Sequence, residues 1–284
     1  MAVQSDETTF PSRDGLRLHL TRWRPAAPRA ALLLLHGLAE HAGRYRHVAE
    51  RFAGRGHAVD VPELRGHGRS PGPRVHVDRF DDFVDDADAA RDRLAAERPG
   101  LPLFVIGHSQ GGLVALRAAL RRPSGLAGVM ASSPLLGTHP SMRPGPLLAA
   151  AARVLDVVLP AVLLPNHVDP GVLSRDPAVG RAYASDPLVS RRVSPRWYFE
   201  TLRAIADTHA RAAELTVPAL VMLSGDDRLL DTAAMARWVA AAPAHLVESV
   251  RWDGFYHEMF NEPDRERVFA RMDDWLERRL SASA

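Results

Sequence analysis

The sequence predicts an α/β fold: a mostly parallel central sheet with helices on both faces, interrupted by an inserted cap subdomain. Three observations predict it. Continuous apolar runs at residues 30–35 and 103–106 are too short for helices and suit strands buried on both faces. Amphipathic helical stretches alternate with such runs, the order that builds βαβ units. Between residues 133 and 195 this rhythm stops, in a proline-rich stretch with one strongly apolar helical segment and no convincing strand.

Residues 8–24 read as a hairpin. Arg13-Asp14-Gly15 supplies its turn, and Leu16, Leu18 and Leu20 alternate with polar residues in the second arm. Residues 25–29 are loop, and 30–35 form the first buried strand. That strand runs into His36-Gly37-Leu38-Ala39-Glu40-His41-Ala42-Gly43-Arg44-Tyr45, with a helix over 45–55 and a strand over 57–61. Residues 65–72 are loop by their glycines and proline. An acid-rich amphipathic helix covers 80–97, stopped by Arg98-Pro99-Gly100. Strand 103–106 then turns through Gly107-His108-Ser109-Gln110-Gly111-Gly112 into a helix over 113–120, and 127–131 is a further strand. Residues 147–164 read as one cap helix, ended or kinked at Pro160. Alternation resumes with strand 219–223, helix 232–242, strand 246–252 and helix 264–280. The chain thus divides into a core over residues 1–132, a cap over 133–195 and a second core segment over 196–284.

Composition narrows the chemistry. At 284 residues the chain exceeds the usual size of about 150 residues per domain, but an α/β core with an insertion reaches that length. Cysteine is absent, which excludes disulfides, a thiolate nucleophile and cysteine-ligated metal. All 36 basic residues are arginine, which excludes Schiff-base lysines and a Walker-type phosphate loop. The formal charge is only +2, with arginines scattered among 34 acids, so no basic block points to nucleic acid. The opening MAVQSDETTF lacks a basic n-region and apolar core, and no uncharged apolar run reaches the roughly 20 residues of a membrane span. The expectation is a soluble cytoplasmic protein.

Gly107-His108-Ser109-Gln110-Gly111 is a Gly-x-Ser-x-Gly turn between strand and helix, the setting that exposes a nucleophilic serine. A serine lifted off a buried strand adopts a strained backbone, and its flanks can hardly carry side chains. The hydroxyl needs a base, and the base needs an orienting acid, in the chain order Ser, Asp or Glu, His. Strand 219–223 leads into Ser224-Gly225-Asp226-Asp227, and strand 246–252 into Asp253-Gly254-Phe255-Tyr256-His257. The candidates are Ser109, His257 and either Asp226 or Asp227; Asp231 is placed to cap the helix that follows. Oxyanion donors are expected at the backbone N–H of Gln110 and, from the loop after strand 30–35, of Leu38. His36, Glu40 and His41 match neither His-Glu-x-x-His nor His-x-x-Glu-His spacing, so no metal site is expected.

With these residues in view, the chain resembles the monoacylglycerol lipase and lysophospholipase branch of the α/β-hydrolase superfamily along nearly its whole length. The carriers are the segment from His36 to Tyr45, similar to a His-Gly-x-Gly-Glu-His-x-x-Arg-Tyr signature, with Gly66-His67-Gly68-Arg69-Ser70 and the serine pentapeptide. Val172-Leu173-Ser174-Arg175 and Ser185-Asp186-Pro187-Leu188 resemble cap motifs of the same family. The resemblance implies an α/β-hydrolase fold, no cofactor, and an acid that precedes arginine, which selects Asp227 before Arg228. It also implies glycerol contacts from Arg44, His108 and Tyr183. The substrate it implies is a monoacylglycerol or similar single-chain lipid ester; a lysophospholipase, a small-ester carboxylesterase and an aminopeptidase share the triad. From a different class stands a non-catalytic ligand-binding protein on the same fold, which an incomplete triad would have favoured. Ala39 departs from the usual glycine, and Phe260 stands where some members carry a second histidine. The apolar cap helix is read either as buried on both sides or packed in a dimer, or as a lid that lines the acyl tunnel with one face and touches a membrane or micelle surface with another.

Overall fold

The computed structural model describes residues 4–282. Its sheet combines β1 (Gln4–Pro11), β2 (Arg17–Arg24), β3 (Ala30–Leu35), β4 (His57–Pro62), β5 (Leu103–His108) and β6 (Gly128–Ser132) with two strands from the C-terminal third. The two-residue strands β7 (Leu164–Pro165) and β8 (Arg192–Val193) pair antiparallel outside it, and β9 (Ala219–Ser224) and β10 (Val247–Trp252) complete it. Spatial order is β1-β2-β4-β3-β5-β6-β9-β10. Within this sheet only the pairings of β2 with β1 and β4 are antiparallel; β4, β3, β5, β6, β9 and β10 run parallel. This is the α/β-hydrolase fold.

Strand alternation divides the core in two. Leu33, Leu35 and Val105 face one side of the sheet, where α2 (Asp81–Glu97) and α3 (Gln110–Arg121) pack. Leu32, Leu34, Phe104 and Ile106 face the other, against α1 (Arg46–Gly54) and, at the C-terminus, Trp275 and Leu276 of the last helix. Both faces being covered is why these strands read as unbroken apolar runs. β5 lies in the middle of the sheet, so the turn after it opens at the centre of the strands' C-terminal edge.

Between β6 and β9 the chain leaves the main sheet and forms α4 (Pro146–Val158), α5 (Pro177–Ser185) and α6 (Pro195–Ala210). The expected helix over 147–164 is shorter than the apolar pattern suggested. Leu159 leaves the helical region at φ −139°, as the residue before a proline is driven to do, and residues 160–163 are turn and irregular chain leading into β7. The expectation of no strand in this stretch is corrected by the β7–β8 ladder, although it is only two residues long. Neither α5 nor α6 is among the elements expected from the sequence. Each opens on a proline at the first helical position, where its missing N–H costs nothing, behind an Asp176 or Ser194 N-cap. In α4 only Asp156 is buried, meeting Arg196 of α6 at 2.5 Å, while the exposed Arg153 lies over the Phe199 ring of α6. That orientation leaves Leu147, Leu148, Val154, Val157, Val158 and Leu159 exposed, Leu147 by 87% and Val157 by 76%. The remaining helices are α7 (Thr232–Ala241), capped by Asp231 as expected, and α8 (Arg265–Ala282). Among the described residues no helix is long and apolar enough to cross a membrane.

Candidate active site

Ser109 joins β5 to α3 at φ 53° and ψ −116°, a conformation costly for a residue with a Cβ. Close approach of backbone explains the surrounding glycines. A Cβ on Gly107 would lie 2.2 Å from the Gly111 carbonyl oxygen, and one on Gly111 2.3 Å from that of Leu35. The turn is over-determined by backbone bonds. The Ser109 N–H donates to Ser132 O at 3.0 Å, while the Ser109 carbonyl accepts from Leu113 at 3.1 Å and Leu135 at 2.9 Å.

Asp227 and His257 project from the loops after β9 and β10, and both are buried. Asp227 Oδ1 accepts two backbone N–H bonds, from Leu229 and Leu230, each at 2.9 Å. Its Oδ2 faces His257 Nδ1 at 2.8 Å. A carboxylate only accepts, so Nδ1 carries the proton and Nε2 is left as the acceptor. Burial works against the Asp227 charge, but the imidazole and the two N–H groups outweigh it and hold the carboxyl below its usual range. For His257 burial opposes protonation, yet Asp227 prevails and the imidazole is more basic than usual. Asp226 is exposed and points elsewhere, so the geometry brings Asp227, not Asp226, to His257. The His257 loop is clamped from below: Ser133 Oγ donates to the His257 carbonyl at 3.0 Å, and Ser224 Oγ to that of Tyr256 at 2.5 Å. The His257 ring lies 4.8 Å from that of His108, the residue before Ser109.

Gln110 is the first residue of α3, so its N–H has no acceptor within the helix. The Leu38 N–H donates to no group among the described residues. Its loop passes against the serine: a Cβ on Gly37 would lie 3.4 Å from the Ser109 Cβ. Glu40 holds that loop, accepting from the Gly37 N–H at 2.6 Å, from the Tyr45 hydroxyl at 2.5 Å and from Arg44. Ala39 sits at φ 64°, the left-handed region that glycine enters freely, and its carbonyl accepts from the Ser190 N–H at 2.8 Å. His36, Glu40 and His41 go to separate partners. His36 donates to Gly37 O and accepts from the Leu64 N–H, and His41 Nε2 meets Asp186 at 2.8 Å.

The three residues expected to meet a glycerol converge beside His257. Burial, then the neighbouring His257, pushes His108 down to about 3, so it is a neutral imidazole at physiological pH. Tyr183 reaches in from α5; its hydroxyl has no hydrogen-bond partner among the described residues, and burial raises its pKa. Arg44 is already engaged. It forks onto Glu258 with two bonds of 2.8 Å, also meets Glu40, and stacks over the Tyr183 ring at 5.0 Å. Two neighbours were missed in the sequence. Glu258 was signalled only by directly following His257. Trp197 of α6 donates to Gln110 Oε1 at 2.7 Å, and nothing local signalled it.

Residues 26–264 match the profile of a family described as serine aminopeptidase, S33. The chain belongs to that family. It is 36% identical over 272 residues to a monoacylglycerol lipase of Mycolicibacterium smegmatis, covering 95% of this chain and 96% of that one. It is 35% identical over 249 residues to the phospholipase YtpA of Bacillus subtilis, covering 87% and 95%. The crystal structure of a Paleococcus ferrophilus monoacylglycerol lipase superposes with a TM-score of 0.81 at 30% identity, covering 98% and 100%.

In this S33 chain the two cap motifs act as anchors. Leu173 O accepts from the Glu258 N–H at 2.8 Å, Ser174 Oγ donates to Asn261 O at 3.0 Å, and Arg175 Nε meets Glu262 at 2.6 Å. Asp186 takes His41 of the segment after β3. The segment between β6 and β9 is therefore tied both to the loop that carries His257 and to the segment after β3.

Proposed function

We propose that this protein is a serine carboxylic-ester hydrolase that cleaves monoacylglycerols to fatty acid and glycerol. Ser109 Oγ attacks the ester carbonyl as His257 Nε2 takes its proton, and Asp227 holds the imidazole in the required tautomer. The N–H groups of Leu38 and Gln110 receive the oxyanion; each such donor is worth about 10² to 10³ in rate. His257 then protonates the departing glycerol oxygen, and water, activated by the same imidazole, releases the fatty acid from Ser109. The observation that carries this reading is the buried Asp227–His257 pair at 2.8 Å, beside a strained serine turn, in a chain similar to monoacylglycerol lipases. His108 and Tyr183 are assigned to the glycerol end, supported by the open Tyr183 hydroxyl; Arg44, occupied by two carboxylates, is assigned no head-group contact. Similarity to the Bacillus phospholipase supports lysophospholipids as the second substrate class.

Residues 133–195 form the cap over this site, and the exposed apolar side of α4 supports peripheral contact with a lipid surface. The deciding experiment is hydrolysis of a panel of monoacylglycerols, lysophospholipids and p-nitrophenyl esters, with liposome sedimentation alongside. Each acyl CH₂ buried contributes roughly 0.8 kcal/mol, about fourfold, so kcat/KM rises steeply from short to medium chains. Val154→Asp with Val157→Asp weakens liposome binding and spares p-nitrophenyl butyrate. A flat chain-length profile with no wild-type liposome binding makes a small-ester carboxylesterase the better description.

A further inference from the structure

Arg44 joins two segments that are 214 positions apart in the chain and carry different parts of the reaction. On one side it meets Glu40, whose other oxygen holds the Gly37 N–H and so fixes the loop presenting Leu38. On the other it forks onto both oxygens of Glu258, the residue covalently next to His257. Asn261 Nδ2 completes Glu258 at 2.7 Å, and Tyr183 from the cap closes the guanidinium's open face. Glu40, Glu258 and Tyr183 are buried, and Arg44 and Asn261 are partly buried. We propose that the Glu40–Arg44–Glu258 bridge is the tie that sets the distance between the oxyanion loop and His257, making Arg44 and Glu258 positioning residues for ester hydrolysis.

The inference rests on the ester-hydrolase reading for its kinetic part only. A single guanidinium spanning two carboxylates leaves no slack: with both bonds made, neither loop can shift without breaking a buried, charge-assisted contact. Misplacing reacting groups by about 1 Å can cost on the order of 10² in rate. The bridge also places charge around His257. The groups acting on that imidazole are Asp227 from the β9 loop, neutral His108 from β5, Glu258 beside it and Glu40 from the segment after β3; Arg44 lies between the two glutamates, with the Tyr183 ring against it. Two carboxylates against one guanidinium leave the bridge net negative, which favours the protonated imidazole.

The test is a pair of opposite shifts in the full-length protein, read by the pH profile of kcat/KM on p-nitrophenyl butyrate and by NMR titration of the His257 imidazole. The base must be neutral to act, so activity is lost as pH falls through its pKa. Glu258→Gln removes a negative charge and moves that midpoint down by about one unit, whereas Arg44→Met exposes two carboxylates and moves it up by about as much. Both lower kcat on the order of 10- to 100-fold with little change in KM. Arg44→Lys, which keeps the charge but cannot fork, returns the midpoint towards wild type without returning kcat. Thermal melts confirm that near-isosteric Glu258→Gln is folded. Midpoints within about 0.3 unit of wild type in both variants, or an effect confined to KM for glycerol esters, overturns the proposal. If the wild-type protein hydrolyses no ester yet the NMR midpoints move apart as stated, the hydrolase reading falls and the bridge stands.

Discussion

Replacing Asp227 by asparagine tests how the acid controls the imidazole, because the surrounding bonds dictate how the new amide must sit. With its oxygen kept toward the Leu229 and Leu230 N–H groups, the amide preserves two bonds of 2.9 Å and turns its NH₂ toward His257 Nδ1. Flipped, it would save the single bond to His257 and set an NH₂ against two buried N–H donors. Each buried polar group left unsatisfied costs about 1–3 kcal/mol, so the first orientation wins by roughly one such penalty. His257 then faces a donor at Nδ1 and adopts the Nε2–H tautomer, which cannot take a proton from Ser109. The expected loss is about 10⁴ in kcat, by analogy with the orienting aspartate of a serine protease. At about 1.4 kcal/mol per tenfold, that is roughly 5–6 kcal/mol of transition-state stabilisation. Asp226→Asn, at an exposed position with no bond to His257, changes kcat less than about threefold. Steady-state kinetics on p-nitrophenyl butyrate with both variants, melts in parallel, checks this. Retention of a tenth or more of kcat by folded Asp227→Asn would refute the tautomer argument.

Ser109→Ala and His257→Ala each remove turnover by a factor on the order of 10⁶ without adding when combined, and only the first abolishes fluorophosphonate labelling outright. Gly111→Ala drives a Cβ to 2.3 Å from the Leu35 carbonyl oxygen and costs more than about 4 kcal/mol, read as loss of soluble folded protein. At Gly100, where φ is +81° but no atom lies within 4 Å of the added Cβ, the same change costs only about 1–2 kcal/mol in the melt. Ser133→Ala leaves the buried His257 carbonyl without its hydroxyl donor, lowering stability by about 1–3 kcal/mol and kcat more than KM.

Much of this molecule is legible along the chain because its signals are local. The unbroken apolar runs at β3 and β5 follow from burial on both faces of one sheet. The serine turn is readable because no residue but glycine fits where Gly107 and Gly111 meet backbone. His257 is readable from its place after β10. By contrast, the helices α5 and α6 carry no such local signal: each opens on a proline in a proline-rich region, and a helix start differs from a loop there only through what packs behind it.

Sequence alone determined the α/β alternation, the strand order's raw material, the nucleophile turn and the shortlist of base and acid, since each depends on residue types within a few positions. The resemblance points to Asp227, and tertiary structure sets that carboxylate, not the exposed Asp226, 2.8 Å from His257. It also joins Arg44, for which the resemblance implies a glycerol contact, to Glu40 and Glu258, and sets Asp156 of α4 against Arg196 of α6 while apolar residues of α4 stay exposed. The physical reason is common to all three. A charge goes where its counter-charge lies, and those partners, Glu258 for Arg44 and Arg196 for Asp156, are brought near only by the folded chain.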